Sequence, residues 1–421
     1  MNPLDASIAI VGAGQAAARA AHALRSQGHA GSIAMVGAER HAPYERPPLS
    51  KAVLCDDVEP ALDVLTAAQF RDCDLVFMPG VRARRLDAAQ HALHLDDGRI
   101  LRYGRCLLAT GGRVRELQDL PQGMPRVHYL RSLDDARRLR GALAPGAHLA
   151  IVGGGFLGLE VAASALRRGM QATVVESSPA LLGRFLPAEV SDWLTCTLRR
   201  AGARLALGRS VRAVRSDAEG VEIELDSHET VRADQVLAAI GLVPETGLAR
   251  AAGLLLDEGN GGIVVDACGR TSDPDVFAAG DCASQFSVHL GRHVRIESWQ
   301  NANAQAEAAA AGLLDRAPPS QAYPWFWTDQ GPHNIQILGL AASDLDYVRR
   351  GDPDGGARAV WIGHRSGVPI HGIALNAGAD LRALRPLFEE RIAFDAEEFV
   401  AGTAPMRAWV KSAIASHVTR T

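Results

Sequence analysis

Residues 148–160 read HLAIVGGGFLGLE, and this stretch decides the fold. His148–Val152 is a short, nearly continuous apolar run, the pattern of a buried parallel strand. Gly153, Gly155 and Gly158 then follow in G-x-G-x-x-G spacing, with Phe156 and Leu157 between the last two. The first glycine of such a turn permits a tight reversal, the second lets the backbone approach a pyrophosphate, and the third lets the helix pack on the strand. The pyrophosphate sits at the helix N-terminus, where free N–H groups and the helix dipole favour an anion. A helix is expected to about Arg168 and Gly169, then a strand over Ala172–Val175, then Glu176. A carboxylate at that place can hold ribose hydroxyls.

Working outward, the same order occurs at the start of the chain. The strand is Ser7–Val11 and the turn carries Gly12, Gly14 and, at the third small position, Ala17. An Ala-rich helix runs to Gln27 and stops at Gly28, a C-cap residue. A strand at Ile33–Val36 leads to Glu39. One such turn is weak evidence, but two in the same order, roughly 140 residues apart, point to two bound dinucleotides, one FAD and one nicotinamide. Glu176 favours a free ribose 2′-hydroxyl and repels a 2′-phosphate, so NADH is expected over NADPH. Arg184 can offset that preference.

The chain of 421 residues suggests about three domains. A net charge of −4 argues against a general nucleic-acid binder. The basic clusters Arg82, Arg84, Arg85 and Arg349, Arg350 read as solvated faces. No apolar run is long enough for a bilayer, and the first apolar run is broken at once by Gly12 and Gly14, so it reads as a strand and not as a secretory signal. The expected location is the cytoplasm, with no membrane or nucleic-acid partner. Oligomeric state is not legible. The six cysteines, Cys55, Cys73, Cys106, Cys196, Cys268 and Cys282, contain no C-x-x-C pair and no metal-ligand spacing. No metal site, redox disulphide or iron–sulfur cluster of the chain's own is therefore expected.

Together with Gly153 to Glu160, five further stretches carry a family resemblance: Tyr44-Glu45-Arg46-Pro47-Pro48-Leu49-Ser50-Lys51, Ala109-Thr110-Gly111-Gly112, Ala279-Gly280-Asp281, Glu297-Ser298-Trp299-Gln300-Asn301-Ala302 and Pro324-Trp325-Phe326-Trp327-Thr328-Asp329-Gln330. Together they resemble the FAD-dependent ferredoxin reductases of bacterial oxygenase systems, over essentially the whole chain. The resemblance implies an α/β fold: two Rossmann-like dinucleotide-binding domains, for FAD and NAD, plus a C-terminal α+β domain. It would divide the chain into FAD-binding segments 1–113 and 240–321, an NAD-binding domain 114–239 and a C-terminal domain 322–421, with Pro318-Pro319-Ser320 as a linker.

The resemblance also implies roles. Gly12, Gly14 and Ala16 would lie along the FAD pyrophosphate, Glu39 would hold the adenosine ribose, and the backbone of Ala83 would meet the adenine. Arg46 and Arg131 would neutralise phosphates or fix the flavin edge. Ala109 belongs to the first crossing between domains, Asp281 would bind the ribityl chain, and Trp299 would neighbour the flavin, with Trp327 close by. Gly153, Gly155, Phe156, Leu157, Gly158, Glu160, Glu176, Arg184 and Gly241 would line the NADH side. Lys51 would lie near flavin N5, paired with Glu160; these two are the catalytic candidates. A fixed cation stabilises the charge that a hydride brings to the ring, and a half-buried lysine needs a counter-charge.

Relatives that reduce disulphides carry a cysteine pair where this chain has Pro47 to Lys51 and a solitary Cys55. The electrons are therefore expected to leave to a separate carrier, and the resemblance implies that it is a [2Fe-2S] ferredoxin, which takes them one at a time. Trp299 and Gln300-Asn301-Ala302 resemble aromatic-ring-hydroxylating dioxygenase reductases more than putidaredoxin reductase, and that resemblance implies a Rieske-type ferredoxin over a putidaredoxin-type ferredoxin of a P450 system. Arg292 and Arg295 are candidates for steering an acidic partner. An NADH oxidase and a redox-dependent interaction protein are the competing readings.

Overall fold

The computed structural model describes residues 4–355 and 358–418. The chain forms two compact units. The first comprises the chain up to Pro47, Ala61–Arg113 and Leu242–Ala322; the second comprises Pro48–Pro60, Val114–Gly241 and the chain from Tyr323 on.

The first unit is built on a seven-stranded sheet. Its parallel part runs Leu75–Pro79, Ile33–Gly37, Leu4–Val11, Ile100–Leu108, and Val276–Ala278 also pairs in parallel with Ile100–Leu108. Ala92–Leu95 and Ala83–Asp87 continue it antiparallel. Side chains alternate across a strand. Ile8 and Ile10 accordingly enter a core covered by the helices Gln15–Ser26 and Trp299–Leu313, while Ala9 and Val11 enter the core on the opposite face with Leu86, Leu93 and Ile263. The run of small residues in the first helix (Ala16, Ala17, Ala20, Ala21) and in the second (Ala306, Ala309, Ala310) lets the two lie close. The second helix begins before its Ala-rich part. Ser298 accepts the N–H of Asn301 at 3.1 Å and caps it, so the helix starts at Trp299.

The second unit contains a five-stranded parallel sheet in the order Arg204–Leu207, Gln171–Glu176, His148–Val152, Gln235–Ala238, Val127–Tyr129. It also contains a five-stranded antiparallel sheet: Trp325–Gln330, His333–Gly339, Val368–Leu375, Arg358–Arg365, Asp346–Asp352. The helices Gly378–Glu389, Ala396–Ala401 and Met406–Val418 follow that sheet, and their apolar residues Leu381, Leu384, Phe388, Phe399 and Trp409 join its core.

The segment Pro48–Pro60 belongs to this unit because it is stitched to the helix Phe156–Arg167 and its end. Ser164 donates to the carbonyl of Ser50 at 2.7 Å, Arg168 donates to the carbonyl of Leu54 at 2.8 Å, and Arg167 pairs with Asp56 at 3.0 Å.

Candidate functional site

The two glycine turns have the same local geometry. Gly12 has φ +117° and Gly153 φ +111°, a region that side chains rarely adopt. A Cβ on Gly12 would stand 2.1 Å from the carbonyl oxygen of Ala109, and one on Gly153 would stand 2.3 Å from that of Ala239. Each turn therefore lies against the strand that follows it in its sheet. Gly158 is equally closed, with a Cβ site 2.1 Å from the carbonyl oxygen of Gly153. Its counterpart Ala17 is fully buried and tolerated.

Gly14 and Gly155 are open by contrast: a Cβ on either would meet nothing within 4 Å. Both are helix N-caps without a side chain to satisfy the first-turn N–H groups. Two 12-residue helices thus present bare N-termini above glycine turns, the donor set that a dinucleotide pyrophosphate requires. The residues present fit FAD and a nicotinamide dinucleotide.

The acid at the end of the second strand is held differently in the two turns. Glu39 accepts from the Tyr44 hydroxyl at 2.6 Å and from Arg46 at 2.9 Å. Burial alone would lower the Arg46 guanidinium, but Tyr44 and Glu39 outweigh it and raise it. Glu176 instead accepts backbone N–H groups, from Gly154 at 2.6 Å and from Ser178 at 2.7 Å. Phe156 packs against Phe185 and Phe326, and the Arg184 guanidinium lies 5.9 Å from the centre of the Phe185 ring. Leu157 is half-buried beside Phe156, and Gly241 stands at φ +101°.

Ala83 opens its strand and is half-buried. Asp281 follows Gly280, whose N–H donates to the buried Gln305 at 2.8 Å. The indole of Trp299, at the start of its helix, donates to Glu45 at 3.2 Å. Arg131 lies in the second unit, after the strand Val127–Tyr129, and its backbone N–H donates to Asp135 at 3.1 Å. The assignment of Arg295 to a docking face is corrected. Its side chain is only 13% exposed and donates to the carbonyls of Asn260 and Asp281, both at 3.2 Å, while it pairs with Glu297. It braces the Asp281 loop and does not reach for a partner. Arg292 is exposed.

Lys51 and Glu160 do meet. Lys51 Nζ lies 3.2 Å from Glu160 Oε1, and a second carboxylate, Asp329 Oδ2, lies 3.0 Å from the same nitrogen. Glu160 is buried and accepts two further hydrogen bonds at 2.6 Å, from Ser50 Oγ to Oε2 and from Thr328 Oγ1 to Oε1. The Trp327 ring lies 5.8 Å from Lys51 Nζ and stacks on Trp325. Ser50, Thr328 and Asp329 were not singled out from the sequence. All three stand inside quoted motifs beside predicted residues, but nothing in a linear reading indicates that they share one carboxylate or one ammonium. Trp325, Phe326 and Trp327 are half-buried and do not form the closed core that an aromatic cluster ordinarily implies.

Cys55 has its Sγ 3.6 Å from the carbonyl oxygen of Ser164, and the six cysteines are all unpaired. Among the described residues there is no group of His, Cys, Asp and Glu arranged for a metal ion, and no helix is long and apolar enough to cross a membrane.

Two glycine turns, each after a parallel strand and each with an acid closing the next strand, define an oxidoreductase that binds two dinucleotides. The profile of the pyridine nucleotide-disulphide oxidoreductase family matches residues 6–306, and that of the reductase C-terminal family matches residues 325–410. The chain is 39% identical over 402 residues to the ferredoxin–NAD(+) reductase component of the anthranilate 1,2-dioxygenase system of Burkholderia cepacia, covering 95% of this chain and 98% of that protein. It is 38% identical over 400 residues to the corresponding component of the p-cumate 2,3-dioxygenase system of Pseudomonas putida, covering 95% and 97%. Among solved structures, putidaredoxin reductase in covalent complex with putidaredoxin superposes with a TM-score of 0.90 at 31% identity, covering 99% of this chain and all of that one. The ferredoxin reductase for the CYP199A2 system of Rhodopseudomonas palustris superposes with a TM-score of 0.89 at 33% identity, covering 96% and 99%. The chain belongs to the pyridine nucleotide-disulphide oxidoreductase family, within its FAD- and NADH-using ferredoxin–NAD(+) reductases.

Proposed function

We propose that this reductase serves an aromatic-ring-hydroxylating dioxygenase in the cytoplasm, and that its partner is a Rieske-type [2Fe-2S] ferredoxin. FAD, when bound, accepts a hydride from NADH and releases single electrons, which joins a two-electron donor to a one-electron carrier. FAD occupies segments 1–113 and 240–321, NADH occupies 114–239, and residues 322–421 form the C-terminal domain. Gly12, Gly14 and Ala16 carry the FAD pyrophosphate, with Glu39, Arg46, Ala83, Ala109, Arg131, Asp281 and Trp299 as its further contacts. Gly153, Gly155, Phe156, Leu157, Gly158, Arg184 and Gly241 receive NADH, and Glu176 holds its adenosine ribose. Lys51 is the fixed cation that offsets charge arriving on the flavin, and Glu160 holds it in place.

The observation that supports one-electron output is that Cys55, the thiol of the segment that carries Lys51 and its 3.2 Å ion pair to Glu160, has no second cysteine beside it. No dithiol is available there to take the electrons as a pair. The names of the Burkholderia and Pseudomonas relatives favour a dioxygenase system. The likeness to putidaredoxin reductase favours the second reading, a putidaredoxin-type ferredoxin of a P450 system. The test is cytochrome c reduction by the purified flavoprotein and NADH, with and without each ferredoxin. Strong dependence on the Rieske-type protein is expected. A rate that responds only to the putidaredoxin-type protein selects the second reading, and rapid oxygen uptake without either selects an oxidase.

A further inference from the structure

Lys51 is shared by two carboxylates that are held very differently. Glu160 has a side chain 9% exposed, and hydroxyls from Ser50 and Thr328 pin both of its oxygens. Asp329 has a side chain 38% exposed, and its other oxygen accepts from Asn334 Nδ2 at 2.7 Å. One ammonium against two carboxylates leaves the cluster with a net negative charge. A cation meant to stabilise incoming negative charge needs one counter-ion to stay in position. The second, 3.0 Å away, subtracts from the field it projects.

That subtraction has a chemical use. A flavin made too easy to reduce would accept from NADH readily and donate poorly to an iron–sulfur acceptor. We propose that Asp329 is a positioning residue that weakens the electrostatic pull of Lys51 and so holds the flavin potential low enough for electrons to move on to the ferredoxin. This rests on the reading of Lys51 as the cation beside the flavin. Glu160 fixes where the ammonium sits, and Asp329 sets how much of its charge is felt.

The experiment uses the FAD-loaded enzyme and measures the two-electron midpoint potential by equilibration with a reference dye, together with anaerobic stopped-flow reduction by NADH. The near-isosteric Asp329→Asn is expected to move the potential to a more positive value. It is also expected to speed flavin reduction by about two- to fivefold, the size of one half-exposed ion pair, at unchanged KM for NADH. Asp329→Ser is expected to shift the potential in the same direction, and Asp329→Glu to return it to the wild-type value. A merely structural role would lower FAD content or the thermal midpoint without moving the potential. An unchanged or more negative potential in both Asp329→Asn and Asp329→Ser overturns the assignment. Lys51→Ala is measured alongside. If it lowers the potential while the Asp329 variants leave it alone, the role of Asp329 falls and that of Lys51 stands. If Lys51→Ala also leaves the potential alone, both fall.

Discussion

Glu39 and Glu176 close equivalent strands yet are held by different groups, and the difference bears on cofactor choice. Glu39 is gripped by side chains, Tyr44 and Arg46, which hold it as part of a polar cluster. Glu176 is gripped by the N–H groups of Gly154 and Ser178, so its carboxylate is fixed to the glycine turn itself. In the proposed NADH site, that carboxylate accepts a ribose 2′-hydroxyl and repels a 2′-phosphate. Replacing it by alanine removes a hydrogen bond to a charged group. Glu176→Ala is therefore expected to lower the ratio of kcat/KM for NADH over NADPH by at least about tenfold. Steady-state kinetics with both nucleotides check this, and equal kcat/KM values in the wild-type enzyme would sink the role given to Glu176. At this scale the sequence was informative wherever a residue's neighbours lie within a few positions. It misplaced Arg295, whose partners Asn260 and Asp281 arrive from other loops.

Within the C-terminal antiparallel sheet, one central strand carries a titration that its pattern did not advertise. His371 on Val368–Leu375 is fully buried, with Nδ1 2.7 Å from the Tyr347 hydroxyl on Asp346–Asp352 and Nε2 without a hydrogen-bond partner among the described residues. Burial pushes the ring down from 6.5 to about 4. The unfolded chain therefore takes up a proton at a pH where the folded sheet still excludes it. Stability from the neutral ring is fully present above about pH 6.5 and is lost as the pH falls towards about 4, by up to about 3 kcal/mol. The thermal midpoint of the wild-type protein is expected to fall over that interval. His371→Leu is expected to flatten the fall, which a series of unfolding curves between pH 4 and 7 would read directly. In a one-dimensional reading His371 is one of 14 histidines. Only the stacking of strands around it removes it from water.

For the whole molecule, the proposed path of electrons turns on what the second unit places around Lys51. The segment Pro48–Pro60 is sewn to the helix Phe156–Arg167, and its thiol at Cys55 lies against the backbone carbonyl of Ser164. A thiol that takes no part in the chemistry is replaceable. Cys55→Ser is expected to keep ferredoxin-dependent cytochrome c reduction within about twofold of wild type, since surface and half-buried substitutions without a mechanism cost little. Loss of most of that activity with FAD content intact would bring a cysteine back into the electron path.

The sequence by itself determined the two glycine turns, the strands and helices that flank them and the acids that follow. These are local matters: a backbone angle that only glycine tolerates, a strand run and a helix start all act within a few residues. Beyond Lys51, whose pairing the family resemblance implied, the tertiary structure alone decided what surrounds Glu160. Its carboxylate is reached by Ser50 from 110 positions away and by Thr328 from 168 positions away. Asp329 joins them only because the strand Trp325–Gln330 and the Pro48–Pro60 segment both pack onto the helix that carries Glu160. No spacing rule connects residues so distant in sequence. Their meeting follows from burial, which obliges a carboxylate removed from water to gather every donor that the fold brings within reach.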